Sequence, residues 1–411
     1  MRNRVVITGC GAVTPLGLNV DETWRNLVAG VSGVDYITLF DTTDHKVRIG
    51  AEVKDFNPID YMDPATARHT DRFAQFALAA SLQAIQSAGL KIDENSRYDV
   101  GILVGSGVGG LDSLTLQFQN LSTRGPARVS PYLVPMMIAD AASAQVSIKT
   151  GIRGPNFSLI SACATGTDVI GIAYKMIGWG EVKAMVVGGA DAAVTPIGLA
   201  GFAQAGALSR NNEPQKASRP FDKERDGFVV GEGGAALILE NLDYATSRGA
   251  GILAEVVGYG ATSDAFHVTA PLESGEAAAR AIELALAEVD RGEVGYINAH
   301  GTSTPLNDAS ETRAIKKAFG DRAYKIPISS IKSMLGHMMG AAGTIEAITC
   351  CQVINKGMIP PTINLEHPDP ECDLDYVPNA ARAGDVRIAL SNSFGFGGHN
   401  SVIAISRYNG Q

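Results

Sequence analysis

The chain has 411 residues, 45% of them hydrophobic and 19% charged, and its 34 Lys and Arg against 43 Asp and Glu leave a formal charge of −9. At roughly 150 residues per domain, this predicts two to three domains with a core that needs no disulfide or metal to stand. The balance excludes a disordered chain and a generally basic nucleic-acid binder, while glycine, at 46 residues, is the outlier and points to tight turns and close backbone approaches.

In chain order, Val5-Val-Ile-Thr-Gly9 is too short an apolar stretch for a signal peptide and reads as a first strand. Residues 72–88 carry a helical pattern, and Val100-Gly-Ile-Leu-Val104 reads as a buried strand running into a glycine-rich turn. Phe157–Cys163 reads as a further strand, with a helix continuing from Asp168. Strands follow at Ala184–Val187, Ala235–Leu239 and Ala254–Val257. Residues 276–289 read as a helix, with Ile282, Ala285, Leu286 and Val289 at i, i+3, i+4 and i+7; strands at Tyr296–His300 and Val402–Ile405 complete the pattern. Such alternation predicts α/β layers. The long stretches without charge, 192–209 and 388–406, are studded with Gly, Ser and Asn, unlike a membrane span. Cys10, Cys163, Cys350, Cys351 and Cys372 show neither C-x-x-C nor zinc spacing, so free thiols in a reducing, cytoplasmic setting are expected.

A coarse echo divides the chain near residue 250. Residues 100–110 and 155–166 in the first half correspond in pattern to 295–304 and 326–343 in the second: a strand into a Gly-rich turn, then a strand ending at a reactive residue, then a helix. A first half 1–250 and a second half 251–411 of duplicated design would place a site at their shared seam. Two motifs are weighed and set aside. Gly105-Ser-Gly-Val-Gly-Gly110 fits G-x-G-x-x-G, but no acid lies between Asp112 and Asp140 to hold a ribose, so a structural turn is expected. Asp222, Glu224, Asp226 and Glu232 resemble a calcium loop with its closing Glu one position early, and a salt-bridged loop fits better.

Cys163 is followed by Ala164-Thr-Gly-Thr167 and a helical run. At such an elbow the sulfur meets the positive end of a helix, which favours a thiolate nucleophile; the alternative is a small buried hydrophobe. His300 and His337 are each bracketed by Gly at an expected strand end, and each is open to reading as a structural histidine. Together, a thiolate that accepts an acyl group and two imidazoles that stabilise a developing enolate suit decarboxylative condensation without a metal. Lys332 pairs with a carboxylate such as Glu346, or is solvated.

With Ser161-Ala-Cys-Ala-Thr-Gly166, Asn298-Ala-His-Gly-Thr-Ser-Thr-Pro305, Lys332-Ser-Met-Leu-Gly-His337 and Asn392-Ser-Phe-Gly-Phe-Gly-Gly398 in order, the chain resembles the β-ketoacyl-acyl-carrier-protein synthases, most closely the type II enzymes, over nearly its whole length. The resemblance implies a thiolase-like fold of two duplicated halves in a five-layer α-β-α-β-α sandwich, usually a homodimer, acting on acyl and malonyl groups carried by acyl carrier protein and needing no separate cofactor. It further implies Cys163 as acylated nucleophile, His300 and His337 as the decarboxylating pair, Lys332 with Glu346 in support, and the N–H groups of Cys163 and Phe396 as oxyanion hole. Thr302 and Thr304 would bind the pantetheine arm, Phe396 would gate the acyl pocket, and Val108 and Phe202 would line it. Carrier docking would fall to arginines such as Arg68, Arg72, Arg124 and Arg128, although Gly206 and His69 stand where basic residues are common in the family. A thiolase is disfavoured because no cysteine follows Cys372, and a non-catalytic chain-length partner because Cys163 is present. A catalytic polyketide ketosynthase subunit stays open as an alternative.

Overall fold

The computed structural model describes residues 2–410. Its main sheet contains β1 (Val5–Val13), β2 (Val100–Gly105), β3 (Asn156–Phe157), β4 (Ala184–Asp191) and β5 (Gly233–Asn241) from the first half. The second half supplies β6 (Ala254–Ser263), β7 (Val294–Asn298), β8 (Ile328–Ser329), β9 (Ile388–Gly395) and β10 (His399–Ser406). From the centre outwards the first half runs β1-β5-β4-β2-β3 and the second β6-β10-β9-β7-β8, the same order five strands on. Pairing directions repeat as well: β2–β4 and β7–β9 are parallel, while β4–β5 and β9–β10 are antiparallel. The echo in the sequence is therefore a duplication of topology, and the two sheets join where Val5–Ile7 pairs with Ala254–Val256.

Strand periodicity explains the layers. Ile102 and Val104, with Val186, Ala236 and Ile238, face an outer core containing Phe73 and Phe76 of helix α1 (Arg72–Ala88). Leu103, Val187, Leu237 and Leu239 face inwards instead, against Val169, Ile170 and Ala173 of α2 (Thr165–Gly178) and Ile345, Ile348 and Cys351 of α3 (Ala342–Lys356). The second half repeats this: Leu390, Val402 and Ala404 pack outwards on α4 (Glu276–Ala285) and α5 (Pro305–Phe319), while Ala389, Ile403 and Ile405 pack on the central pair. The result is outer helices, sheet, buried helix pair, sheet and outer helices. Each fully buried Leu or Ile contributes about 1.5–3 kcal/mol.

Glycine lets helices lie directly on strands. A Cβ at Gly11 of β1 would sit 2.1 Å from the Ala80 carbonyl oxygen of α1, and one at Gly258 of β6 would sit 1.8 Å from that of Ala285 in α4. The duplication thus reaches this close approach, and part of the glycine excess is spent there. The five cysteines are free thiols.

Candidate active site

The elbow at Cys163 differs from the extended run expected. Strand β3 stops at Phe157, residues 158–161 are irregular, and a 3-10 turn over Ala162–Ala164 leads into α2. The local reason is Ala162, whose φ of 52° is a left-handed conformation that costs an L residue about 1–2 kcal/mol. It is held by hydrogen bonds from Ser161 N–H to Thr165 Oγ1 at 2.9 Å and from Thr165 Oγ1 to the Ala162 carbonyl at 2.8 Å. Cys163 follows, half-buried, two residues before the helix. The second half repeats the device: Met339 has φ 48°, three residues before α3 as Ala162 is three before α2, and Gly340 stands where Cys163 stands.

His300 lies two residues beyond β7. Its backbone is fixed by Glu311 of α5, which accepts from His300 N–H at 2.9 Å and Gly301 N–H at 2.8 Å. His337 donates its backbone N–H to Val229 at 2.7 Å, and its Nδ1 accepts from Met339 N–H at 3.2 Å. That bond assigns the ring proton to Nε2, a buried nitrogen with no partner among the described residues. The two imidazoles sit edge to face with centroids 5.5 Å apart. Cys163, His300 and His337 line one cleft together with Phe228, Phe394, Phe396, Thr302 and Thr304.

The electrostatics follow from burial beside a cation. Burial lowers both histidines well below 6.5, Lys332 lowers them further, and His337 also lowers His300, so each imidazole is neutral with an N–H to donate. Lys332 is paired in the interior with Glu346, whose carboxyl burial pushes up to about 7 against the pull of the ammonium. Burial pushes the Cys163 thiol up to about 11, opposed by Lys332 and by the Phe396 N–H. Burial therefore opposes the thiolate expected at the helix end and favours the thiol.

The other sequence-derived residues divide. Thr302 and Thr304 face the cleft with their hydroxyls 2.9 Å apart. Phe202 packs with Phe228 at 5.6 Å in the apolar cluster that Cys163 adjoins. Val108 is not among the residues lining this cleft; its side chain is exposed and its N–H is held by Asp191 at 3.1 Å. Arg72 is no free docking group, because it grips buried Glu232 at 2.7 Å; Arg68, Arg124 and Arg128 are exposed, and His69 stacks on Tyr132 at 3.8 Å. The calcium-like acids point apart, Asp222 to the N–H groups of Glu366 and His367 and Asp226 to Ser209. Among the described residues no group of His, Cys, Asp and Glu is placed to hold a metal ion, and no helix is long and apolar enough to cross a membrane.

Three structural partners of the site escaped the sequence reading. Glu311 hides on an amphipathic helix and Asp264 in a loop, where it accepts from Asn400 Nδ2 at 2.7 Å and ties the Gly395–Gly398 loop to residues 264–272. Asp191 did leave a signal, as the single charge closing an otherwise uncharged strand, Ala184-Met-Val-Val-Gly-Gly-Ala-Asp191.

Fold and site together define a thiolase-like architecture with a Cys-His-His centre at the seam of its halves. Residues 2–245 match the model of the β-ketoacyl synthase N-terminal domain and residues 253–366 that of the C-terminal domain. The chain is 52% identical over 410 residues to a 3-oxoacyl-[acyl-carrier-protein] synthase 2 of Synechocystis sp., covering 99% of each. It is 47% identical over 407 residues to one of Staphylococcus aureus, covering 98% of each. Among solved structures, a β-ketoacyl synthase from Burkholderia phymatum superposes with a TM-score of 0.91 at 37% identity, over 99% of this chain and 100% of that one. A type II polyketide ketosynthase solved in complex with its acyl-carrier protein superposes at 0.89 with 35% identity, over 99% and 100%. The chain belongs to the β-ketoacyl synthase family.

Proposed function

We propose that the protein is the elongating condensing enzyme of type II fatty acid synthesis, a cytoplasmic acyltransferase that works as a homodimer. Its substrates are acyl and malonyl groups on the phosphopantetheine of acyl carrier protein, and it needs no cofactor of its own. The observation that carries this reading is the convergence of Cys163, His300 and the unpartnered Nε2–H of His337 on one cleft.

In the first half-reaction the Cys163 sulfur attacks the acyl thioester, the N–H groups of Cys163 and Phe396 hold the oxyanion, and the thiol proton passes to the departing pantetheine sulfur. Thr302 and Thr304 hold the arm. In the second, the neutral imidazoles donate to the malonyl thioester oxygen. The carboxylate carbon–carbon bond breaks to release CO2, and the enolate carbon attacks the acyl-Cys163 carbonyl. Collapse of the tetrahedral adduct yields the 3-oxoacyl product and a Cys163 thiolate that takes up one proton. Lys332 and Glu346 maintain the field around the three groups. Phe396 gates the acyl pocket, which Phe202 borders and Val108 would join from the subunit interface.

Apolar side chains left open on one chain, among them Leu116, Phe118 and Val134 at 52%, 65% and 60% exposure, support a second copy as partner. Arg68, Arg124 and Arg128 are exposed cations that an acidic carrier could meet. The test is incubation with malonyl carrier protein and acyl carrier proteins of graded length. Products two carbons longer, with equimolar CO2, are expected. Absence of condensation overturns the proposal, and repeated extension to an unreduced polyketone would assign the enzyme to polyketide synthesis.

A further inference from the structure

Asp191 ends β4 fully buried between the two halves, and its four hydrogen bonds come from the glycine-rich loop of the first half and from Gly340 of the second. Oδ1 accepts from Ser106 Oγ at 2.6 Å and Val108 N–H at 3.1 Å; Oδ2 accepts from Gly107 N–H at 2.8 Å and Gly340 N–H at 2.6 Å. Ser106, Gly107 and Val108 belong to the glycine-rich loop, and Gly107 lies against the elbow: a Cβ there would be 3.4 Å from the Ala162 carbonyl oxygen. Gly340 belongs to the other half, immediately after Met339, whose N–H sets the His337 tautomer. One carboxylate thus spans the loop behind the nucleophile and the turn that orients a histidine.

We propose that Asp191 is a positioning residue for the decarboxylating half of the site, clamping the Met338–Gly340 turn so that the Nε2–H tautomer of His337 faces the substrate. The argument rests on the functional reading above. Met339 holds a left-handed φ of 48° although it is not glycine, and such a turn relaxes unless a neighbour restrains it. One bond closes the turn on itself, Ala341 N–H to the Met338 carbonyl at 3.0 Å, and the restraint from outside it is the bond from Gly340 N–H to the Asp191 carboxylate. When the turn relaxes, the Met339 N–H leaves Nδ1 and the imidazole is free to carry its proton on either nitrogen. Burial raises the Asp191 carboxyl to about 6, with these same donors opposing, so at neutral pH the clamp is charged and its bonds are the stronger kind.

The chemistry of the side chain distinguishes positioning from mere support. In Asp191→Asn the remaining oxygen can still serve Gly107 and Gly340 if the amide nitrogen faces Ser106, whose hydroxyl can turn to accept, while the Val108 N–H loses its acceptor. In Asp191→Ala no acceptor is left. Asp191→Ala is expected to slow CO2 release from malonyl carrier protein about 10- to 100-fold, the range for a lost charged hydrogen bond. Alkylation of Cys163 by iodoacetamide should change less than about threefold, and Asp191→Asn should recover most of the loss. In protein labelled with nitrogen-15 histidine, the His337 signals, assigned with His337→Ala, should show protonated Nε2 in the unsubstituted protein and in Asp191→Asn. In Asp191→Ala they should show a mixture of tautomers. If Asp191→Ala does not fold, Asp191→Asn carries the test: decarboxylation and the protonated Nε2 of His337 retained together, or lost together, support the role, and a mixture of tautomers beside undiminished decarboxylation overturns it. Equal loss of alkylation and decarboxylation in a folded variant, or lost decarboxylation with an unchanged tautomer, also overturns it. Failure of the unsubstituted enzyme to release CO2 counts against the functional reading instead, while the tautomer measurement stands independently.

Discussion

Lys332→Met removes the ammonium from an ion pair whose side chains are 3% and 1% exposed. Removing one partner of such a pair costs about 3–5 kcal/mol, because the remaining charge is buried alone. The remaining charge is Glu346, already raised to about 7 with the lysine in place, and it rises further without it. A carboxyl whose folded pKa lies above its unfolded value of 4.5 binds its proton more tightly when folded. The stability this contributes is full below 4.5 and is lost as pH rises through the folded pKa, by up to about 1.4 kcal/mol per unit. Lys332→Met should therefore be more strongly destabilised at pH 8 than at pH 5.5. Lys332→Met/Glu346→Gln, with no buried charge at the pair, should come within about 1 kcal/mol of the unsubstituted protein. Thiol reactivity should behave differently. With Cys163 at about 11, about one sulfur in 10³ is thiolate at pH 8, and loss of Lys332 lowers that fraction in the single and double variants alike. The assay is urea unfolding at both pH values with iodoacetamide alkylation of Cys163 alongside. The reasoning is refuted if the double variant is as unstable as the single one, or if either alkylates at the original rate.

Cys163→Ala should abolish acyl transfer while CO2 release from malonyl carrier protein persists, since both imidazoles remain; simultaneous loss of both in a folded variant would contradict the division of roles. His337→Ala should reduce CO2 release about 10²-fold or more yet leave Cys163 open to acylation, as intact-protein mass spectrometry would show. Gly171→Ala places a Cβ 2.2 Å from the Tyr259 ring and forces apart the 2.7 Å hydrogen bond from Tyr259 to Asp168. It should cost about 2–4 kcal/mol in urea unfolding, and an unchanged midpoint would show that the ring yields freely.

The chemistry-bearing residues were legible because each sits in a short local pattern that physics constrains. A reactive side chain at an elbow needs small neighbours and a helix behind it, and Cys163, His300 and His337 all stand beside glycine or alanine. Strands were legible where both faces are apolar. The extents of β3 and β8, read as longer strands, were not, since these two-residue strands are defined by the neighbour they pair with, Ile102–Leu103 and Ile297–Asn298 respectively. The extended run expected before Cys163 gave way to a turn because Ala162 is held left-handed by side chains that no hydrophobic pattern reports.

The sequence by itself determined the α/β class and the echo between halves, and it singled out Cys163, His300 and His337 as the candidate reactive groups, because periodicity and small-residue elbows are local properties. Tertiary structure decided their state. The resting thiol of Cys163, the neutral imidazoles and the raised carboxyls of Glu346 and Asp191 all arise from desolvation at the seam, and desolvation exists only once the two halves close on each other. The same closure brings Asp191 to Gly340 across 149 residues of chain. Proximity over such distances depends on which layers pack together, and that is a property of the folded molecule as a whole.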